Sequence, residues 1–265
     1  AEESAEDVWR HLQAGVGLRG GTHQVQSTLR EMLTEHPSWV VMKIDAKNAF
    51  NTCRRTEFFD RVLERCPSLF PWVRACYGAP TRRFVRLEDG SFEVVWSTSG
   101  TTQGDPLGPA LFAFSMLSLA EELAARVRAG VLFYLDDGHV CGPPEEVAHF
   151  ARQLVDQDGD HDMQRRTGCE IEVDKCCVWG PGHTEWPSVG DIPETLGLDA
   201  EVAETLFRET RATASATRDH LRRVFPPRFH GMRGLREPEE QEDPAAEMAA
   251  QRGLSVLGSP ICGTD

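Results

Sequence analysis

No apolar run in this 265-residue chain approaches the ~18 residues that would cross a bilayer, so no membrane-spanning helix is expected. The opening residues, Ala1-Glu2-Glu3-Ser4-Ala5-Glu6-Asp7, are acidic and lack an initiator Met. They do not read as a signal peptide, and the chain reads as a fragment or a processed piece. The eight cysteines form no C-x-x-C pair and have no histidines at zinc spacing. That argues against a zinc finger, and the thiols are expected to be reduced, as in an intracellular protein. Internal repeats are absent. Positive charge is scarce: the net charge is −14, which taken alone argues against a nucleic-acid partner.

The charge is unevenly spread. Residues 8–110 carry 13 Lys and Arg against 10 Asp and Glu, whereas residues 111–265 carry 15 against 28. A basic stripe on the first part is compatible with the sequence, and whole-chain charge is a poor guide. Hydrophobic residues at 40% and charged residues at 26% are ordinary for a soluble globular protein with a sizeable core.

Gly15 to Gly21 reads as a loop and Thr22 to about Thr34 as a helix; no strand signal precedes the loop, so a dinucleotide or Walker-type phosphate site is not expected. Trp39 to Ile44 is a short apolar strand ending at Asp45. Phe58, Phe59, Val62, Leu63 and Cys66 fall at helical spacing up to Pro67. Residues 83–98 suggest a hairpin with Glu88-Asp89-Gly90-Ser91 as its turn. Asp105-Pro106 reads as an N-cap and first helical residue, opening a helix to about Val127. A hairpin with Leu135-Asp136-Asp137-Gly138 at its tip follows, and its bland reading is an Asp-Gly turn. A helix from Glu145 to about Arg165 is expected to stop at Gly168, and Cys169 to Trp179 reads as one strand, with Cys176 and Cys177 facing opposite ways. The order β-α-β-β-α-β predicts an α+β fold: an antiparallel split-βαβ sheet with helices on one face. Residues 180–248 look like an insertion, helical from Asp199 to Val224 and acidic at Glu237 to Asp243. Gly253 to Gly263 reads as a last short strand and turn.

Asp45, Asp136 and Asp137 all stand at strand ends, the second 91 residues beyond the first. Carboxylates held this close repel unless cations neutralise them. Mg²⁺ takes oxygen ligands and keeps several waters, which suits such a cluster, and two ions suit an in-line phosphoryl displacement.

Three segments carry a resemblance: Ile44-Asp45-Ala46 with Ala49-Phe50-Asn51; Gly100-Thr101-Thr102-Gln103-Gly104-Asp105-Pro106-Leu107-Gly108; and Phe133-Tyr134-Leu135-Asp136-Asp137. They resemble palm motifs A, B and C of reverse transcriptases, and the second is worded most like the non-LTR (LINE-type) retrotransposon enzymes. Gly168 to Trp179 is similar to motif D, Val256 to Pro260 to motif E, and Gln13 to Gly21 to the end of the fingers motif that precedes motif A. The resemblance implies a right-hand polymerase palm with partial fingers and no thumb. Residues 1–7 would be an acidic tail, 8–180 partial fingers and palm with motifs A to D, 181–248 an inserted, partly helical connector, and 249–265 motif E.

The resemblance also implies roles. Asp45, Asp136 and Asp137 would be catalytic and, with the Ala46 carbonyl, would hold two Mg²⁺ ions, for which Mn²⁺ substitutes. Phe50 would stack under the incoming sugar and favour dNTPs. Gln103 and Gly104 would line the nucleotide pocket, and Lys175 would sit near the triphosphate. Tyr134, Leu257 and Gly258 would touch the primer. The partners implied are an RNA template, a DNA primer and dNTPs, with no membrane; oligomeric state stays open, as does nuclear against cytoplasmic residence. Arg54 and Arg55 are open between phosphate contact and a solvated helix face. Rival readings are a group II intron-type maturase, an RNA-dependent RNA polymerase (against which Phe50 argues), a palm relic that binds nucleic acid without catalysis, and an unrelated split-βαβ RNA-binding domain.

Overall fold

Apolar residues on alternate positions of four short strands build the central sheet. In a computed structural model the described residues are 12–36, 38–156, 158–180, 218–232 and 234–236, with two short strands near the C-terminus. The chain runs α1 (Gly21–Glu35), β1 (Val40–Ile44), β2 (Ala46–Lys47), α2 (Ala49–Thr52), α3 (Arg55–Arg65), α4 (Phe70–Tyr77), β3 (Thr81–Arg86), β4 (Phe92–Ser97), α5 (Gly108–Ala124), β5 (Gly130–Tyr134), β6 (Asp137–Gly142), α6 (Pro144–Leu154), α7 (Met163–Thr167), β7 (Glu170–Ile171) and β8 (Cys177–Trp179). Residues 218–224 are helical, and β9 (Ser255–Val256) pairs antiparallel with β10 (Ser259–Pro260). None of the described helices is long and apolar enough to cross a membrane.

The sheet order is β5-β6-β1-β8, every neighbour antiparallel. This is the split-βαβ arrangement expected from the order of elements. Period-two alternation gives the sheet two distinct faces. Val40, Met42, Ile44, Val140 and Val178 point into the main core with Phe112, Met116 and Leu119 of α5 and Val147, Phe150 and Ala151 of α6. Val41, Cys141 and Cys177 point the other way, to Val25, Leu29 and Leu33 of α1. Helices therefore lie on both faces, an addition to the one-face expectation. The cause is that α1 has its own apolar stripe, and burying it needs the second face. Cys176 and Cys177 face opposite clusters as expected, and no disulfide joins any two of the seven cysteines among the described residues.

α5 is apolar nearly all round because it is packed on two sides. One side meets the sheet; the other, through Leu111, Phe114 and Leu117, meets Phe58 and Val62 of α3 and Val73 and Tyr77 of α4. Residues 218–232 and 234–236 also pack against the rest of the fold: Leu221, Phe225, Phe229, Met232 and Leu235 are in the main core. Arg152 reaches across to the Val224 carbonyl at 2.5 Å.

Several boundaries differ from the sequence reading. The expected 145–165 helix ends at Leu154, and α7 restarts after Asp162, whose carboxylate accepts from the Arg165 N–H at 2.8 Å. Gly168 closes it in a left-handed conformation, as expected. The 169–179 strand is split: β7 pairs with β2, β8 pairs with β1, and a 3-10 turn over Val173–Lys175 joins them. Asp105 is not the N-cap of α5, which begins at Gly108; its carboxylate instead accepts the Leu107 N–H at 2.9 Å and the Tyr77 hydroxyl.

Arg55 is half-buried and not on a freely solvated helix face. Its guanidinium donates to the carbonyls of Gly100 (3.1 Å), Tyr77 (3.3 Å) and Ser99 (3.1 Å) and to Ser97 Oγ (2.9 Å). It thereby ties the start of α3 to the end of α4, β4 and the loop after it. Arg55→Ala strips partners from three carbonyls, and is expected to cost about 2–4 kcal/mol. Arg55→Lys restores little of that, because a point ammonium cannot reproduce the fork. Urea unfolding of the two variants checks both statements.

Candidate active site

The β5–β6 hairpin is the centre of the site. Tyr134 pairs with Asp137, leaving Leu135 and Asp136 as a two-residue tip. The Asp-Gly turn of the bland reading is not formed: Asp137 and Gly138 are strand residues of β6. Leu135 takes the positive φ instead, at 56°. Gly138 is needed for room, since a Cβ there would lie 2.7 Å from the Phe133 ring.

β1 delivers the third carboxylate. Ile44 pairs with Gly138, so Asp45 lies one rung further, across from Asp137. Its backbone is held by the motif D segment: its N–H donates to Cys176 Sγ at 3.4 Å and its carbonyl accepts from the Glu172 N–H at 3.0 Å. The next residue, Ala46, is buried and pairs with Ile171.

The three aspartates share one end of the sheet but not one environment. Burial pushes the Asp136 carboxyl above its usual range, and the charges of Asp137 and Asp45 add to that. Burial also raises Asp45, opposed by the positive charges of Lys175 and Lys43. Asp137 is paired: Lys43 Nζ sits 2.9 Å from its Oδ1. Burial works against the charge on Lys43, but the Asp137 hydrogen bond and charge outweigh it and raise its pKa. The sequence reading missed Lys43. Its signal was a lone cation in an otherwise apolar strand, at a position whose period-two face is that of Asp137. Beside it, fully buried His139 is kept neutral, its pKa pushed down to about 4 by burial.

Among the described residues no group of three or more His, Cys, Asp or Glu is placed to hold a metal ion. The donor chemistry still fits a hard divalent cation. Two carboxylates that are costly to ionise together stand at one edge, and Mg²⁺ is bound through one or two carboxylates with water and substrate phosphates rather than by a closed protein cage.

The other expected site residues lie on several different elements. Phe50 follows β2 in α2, and its ring stacks on Phe112 with centroids 4.5 Å apart at 19°. Its carbonyl accepts the Thr101 N–H at 2.7 Å, which joins motif A to motif B. Gln103 and Gly104 lie exposed on the loop that follows. That loop is pinned by Tyr77, whose hydroxyl donates to Asp105 and accepts the Thr102 N–H at 3.2 Å, and by Arg83, which donates to Thr102. Neither Tyr77 nor Arg83 was singled out from the sequence. Tyr134 packs at the edge of the α1-side cluster. Lys175 is exposed on the 3-10 turn, not on a strand, paired with Glu172 at 2.7 Å and felt electrostatically by Asp45. Leu257 and Gly258 lie outside the described residues, between β9 and β10.

Comparison with known proteins follows the same lines. The fold is similar to that of the telomerase from Candida albicans solved with the TWJ fragment of telomeric RNA, at a TM-score of 0.52 and 10% identity, covering 66% of this chain and 33% of that one. It is also similar to apo telomerase from Candida tropicalis, at a TM-score of 0.50 and 9% identity, covering 64% and 34%. In sequence, 149 residues are 30% identical to the retrotransposable element SLACS 132 kDa protein of Trypanosoma brucei gambiense, which is 55% of this chain. The chain spans 12% of that protein's length and about a third of each telomerase chain. The profile of the reverse transcriptase (RNA-dependent DNA polymerase) family matches residues 7–194, a stretch that contains the aspartate following β1, the loop from Gly100 to Gly108 and the β5–β6 hairpin, and the chain belongs to that family.

Proposed function

We propose that this chain carries the nucleotidyl-transfer site of a retrotransposon-type reverse transcriptase of the non-LTR class. The observation that carries the reading is the meeting of Asp45 with the Asp136-Asp137 hairpin at one sheet edge, within a member of that family. The reaction is attack of a primer 3′-hydroxyl on the α-phosphate of a dNTP, directed by an RNA template, with release of pyrophosphate.

Asp45 and Asp136, with the Ala46 carbonyl, would hold two Mg²⁺ ions, or Mn²⁺ in their place. Such ions supply Lewis-acid stabilisation of the charge that develops on the phosphoryl oxygens. Asp137 would support the ions beside them, its own charge partly offset by Lys43. Phe50, rigidified against Phe112, forms the wall under the incoming sugar and favours dNTPs. Gln103 and Gly104 face the nucleotide and template, and Lys175 approaches the triphosphate once it leaves Glu172. Tyr134, Leu257 and Gly258 contact the primer. In this reading residues 8–180 are palm and partial fingers, 181–248 the connector, and 249–265 motif E.

The test is oligo(dT) extension on poly(rA) with dTTP, in Mg²⁺ and then in Mn²⁺, beside Asp136→Asn. Metal-dependent extension that the substitution abolishes is the expected result. Folded protein that binds the primer–template without extending it in either ion overturns the polymerase reading for this chain and leaves a nucleic-acid-binding palm.

A further inference from the structure

The tip of the β5–β6 hairpin is held by a residue 122 positions away in the chain. Residues 12–14 run along β5: the Phe133 N–H donates to the Leu12 carbonyl at 2.6 Å, and the Ala14 N–H to the Phe133 carbonyl at 2.7 Å. This brings the Gln13 side chain, 3% exposed, to Leu135. Gln13 Oε1 accepts the Leu135 N–H at 2.7 Å, and Gln13 Nε2 donates to the Leu135 carbonyl at 3.3 Å. The same Oε1 also accepts the Gly15 N–H at 3.0 Å. One carboxamide thus brackets both peptide groups of the residue that precedes Asp136. No shorter polar side chain reaches both, and no apolar one supplies either bond.

Leu135 requires such a bracket. A branched side chain at φ 56° costs about 1–2 kcal/mol relative to ordinary backbone, and strain of this kind persists only where neighbours over-determine it. Gly15 completes the brace by close approach: a Cβ there would lie 2.7 Å from Leu135 Cγ and from Leu135 N. Asp136 is the next residue, so its Cα position and the aim of its carboxylate follow from the Leu135 peptide planes.

We propose that Gln13 is a positioning residue for the Asp136 carboxylate, acting through the Leu135 backbone; the catalytic part of this rests on the polymerase reading above. The segment that leads into α1 is then part of the active-site scaffold, and displacement of residues 12–15 would misplace the carboxylate.

The test compares wild type, Gln13→Leu and Gln13→Glu by amide hydrogen exchange and by primer extension. In Gln13→Leu the Leu135 amide is expected to exchange at least about 10-fold faster, while the β1 and β6 amides keep their protection. The extension kcat is expected to fall by about 10²-fold with the KM for dTTP changed less than about twofold, the signature of a misplaced group and not of lost binding. As the neutral acid Gln13→Glu keeps both an acceptor and a donor, so at low pH it should keep Leu135 protected; it is the variant to read if Gln13→Leu does not fold. Unchanged exchange at Leu135 in Gln13→Leu, or lost protection in Gln13→Glu at a pH where its carboxyl is neutral, overturns the bracket. Faster exchange with an unchanged kcat overturns the positioning role. A wild type that extends no primer overturns the polymerase reading, and the Leu135 exchange rate still decides the bracket.

Discussion

Asp136→Asn is expected to melt at a higher temperature than the wild type at pH 7 while losing primer extension by roughly 10³-fold. The two effects have one cause. Asp136 is partly buried, and Asp137 and Asp45 face it with like charge, so its carboxyl is harder to ionise folded than unfolded. Its folded pKa is therefore raised. Between the unfolded and folded values the native state binds more protons than the unfolded chain, so stability falls as pH rises through that window and stays lower above it. Asn is close in shape and permanently neutral, so it escapes that loss. The gain should shrink as pH falls below the usual carboxylate range, where both states are protonated in the wild type. Asp45→Asn should show the same sign with a smaller gain, since Lys175 and Lys43 already offset part of the cost at that position. Adding Mg²⁺ should raise the wild-type melting temperature and leave Asp136→Asn unmoved, because an ion that binds only the native state stabilises it by mass action. Thermal unfolding at pH 4 and pH 7, with and without Mg²⁺, decides the matter. A lower melting temperature for the variant at pH 7 would mean that ionised Asp136 makes stabilising contacts that outweigh its burial and the like charges around it.

How much of this was legible in the sequence depended on whether the deciding interaction was local. The β3–β4 turn follows from Asp-Gly chemistry, and Gly90 indeed carries positive φ at 83°. The β-α-β-β-α-β order gave the sheet order because antiparallel neighbours and crossover helices leave few alternatives. Failures were non-local. At the hairpin tip the strongest local turn signal, Asp137-Gly138, lost to Leu135-Asp136. The Phe133 ring needs Gly138 opposite it, and Gln13 stabilises positive φ at a leucine. The sequence reading stops at Pro67 and misses α4, although Pro67 opens a 3-10 turn and Pro71 lies in the first turn of α4, where proline is equally a start. The 155–162 break did carry a signal, an Asp-rich stretch with Gly159 and the capping Asp162, which apolar periodicity overrode. The place of Asp45 at the end of β1 was legible, and the pairing of Lys43 was not, because only the register places a strand lysine against Asp137. Arg55 shows the same limit: helix-start arginines look solvated until the three carbonyls they serve are known.

Gly100→Ala is expected to destabilise the protein by at least about 3 kcal/mol and to remove primer extension with it. Gly100 opens the motif B loop, its N–H donating to the Cys53 carbonyl at 2.8 Å. Its φ is 66°, and an added Cβ would lie 2.3 Å from the Asn51 carbonyl carbon and oxygen and 2.4 Å from the Phe50 oxygen. All three are backbone atoms, so no rotamer change relieves the clash; either the loop or the end of α2 must move. Gly90→Ala separates the two contributions. Its φ is 83° but nothing lies within 4 Å of the added carbon, so it carries conformational strain alone, about 1 kcal/mol. The excess at Gly100 is then the cost of parting motif A from motif B. That parting would break the Thr101 N–H bond to the Phe50 carbonyl and the Ser99 Oγ bond to the Asn51 carbonyl at 3.0 Å. It would also shift Phe50 on Phe112, the contact that sets the wall of the proposed sugar pocket. Urea unfolding of both variants beside wild type gives the comparison. Equal losses at Gly90 and Gly100 would show that the loop yields without disturbing α2, and that the two motifs are joined less rigidly than their backbone contacts require.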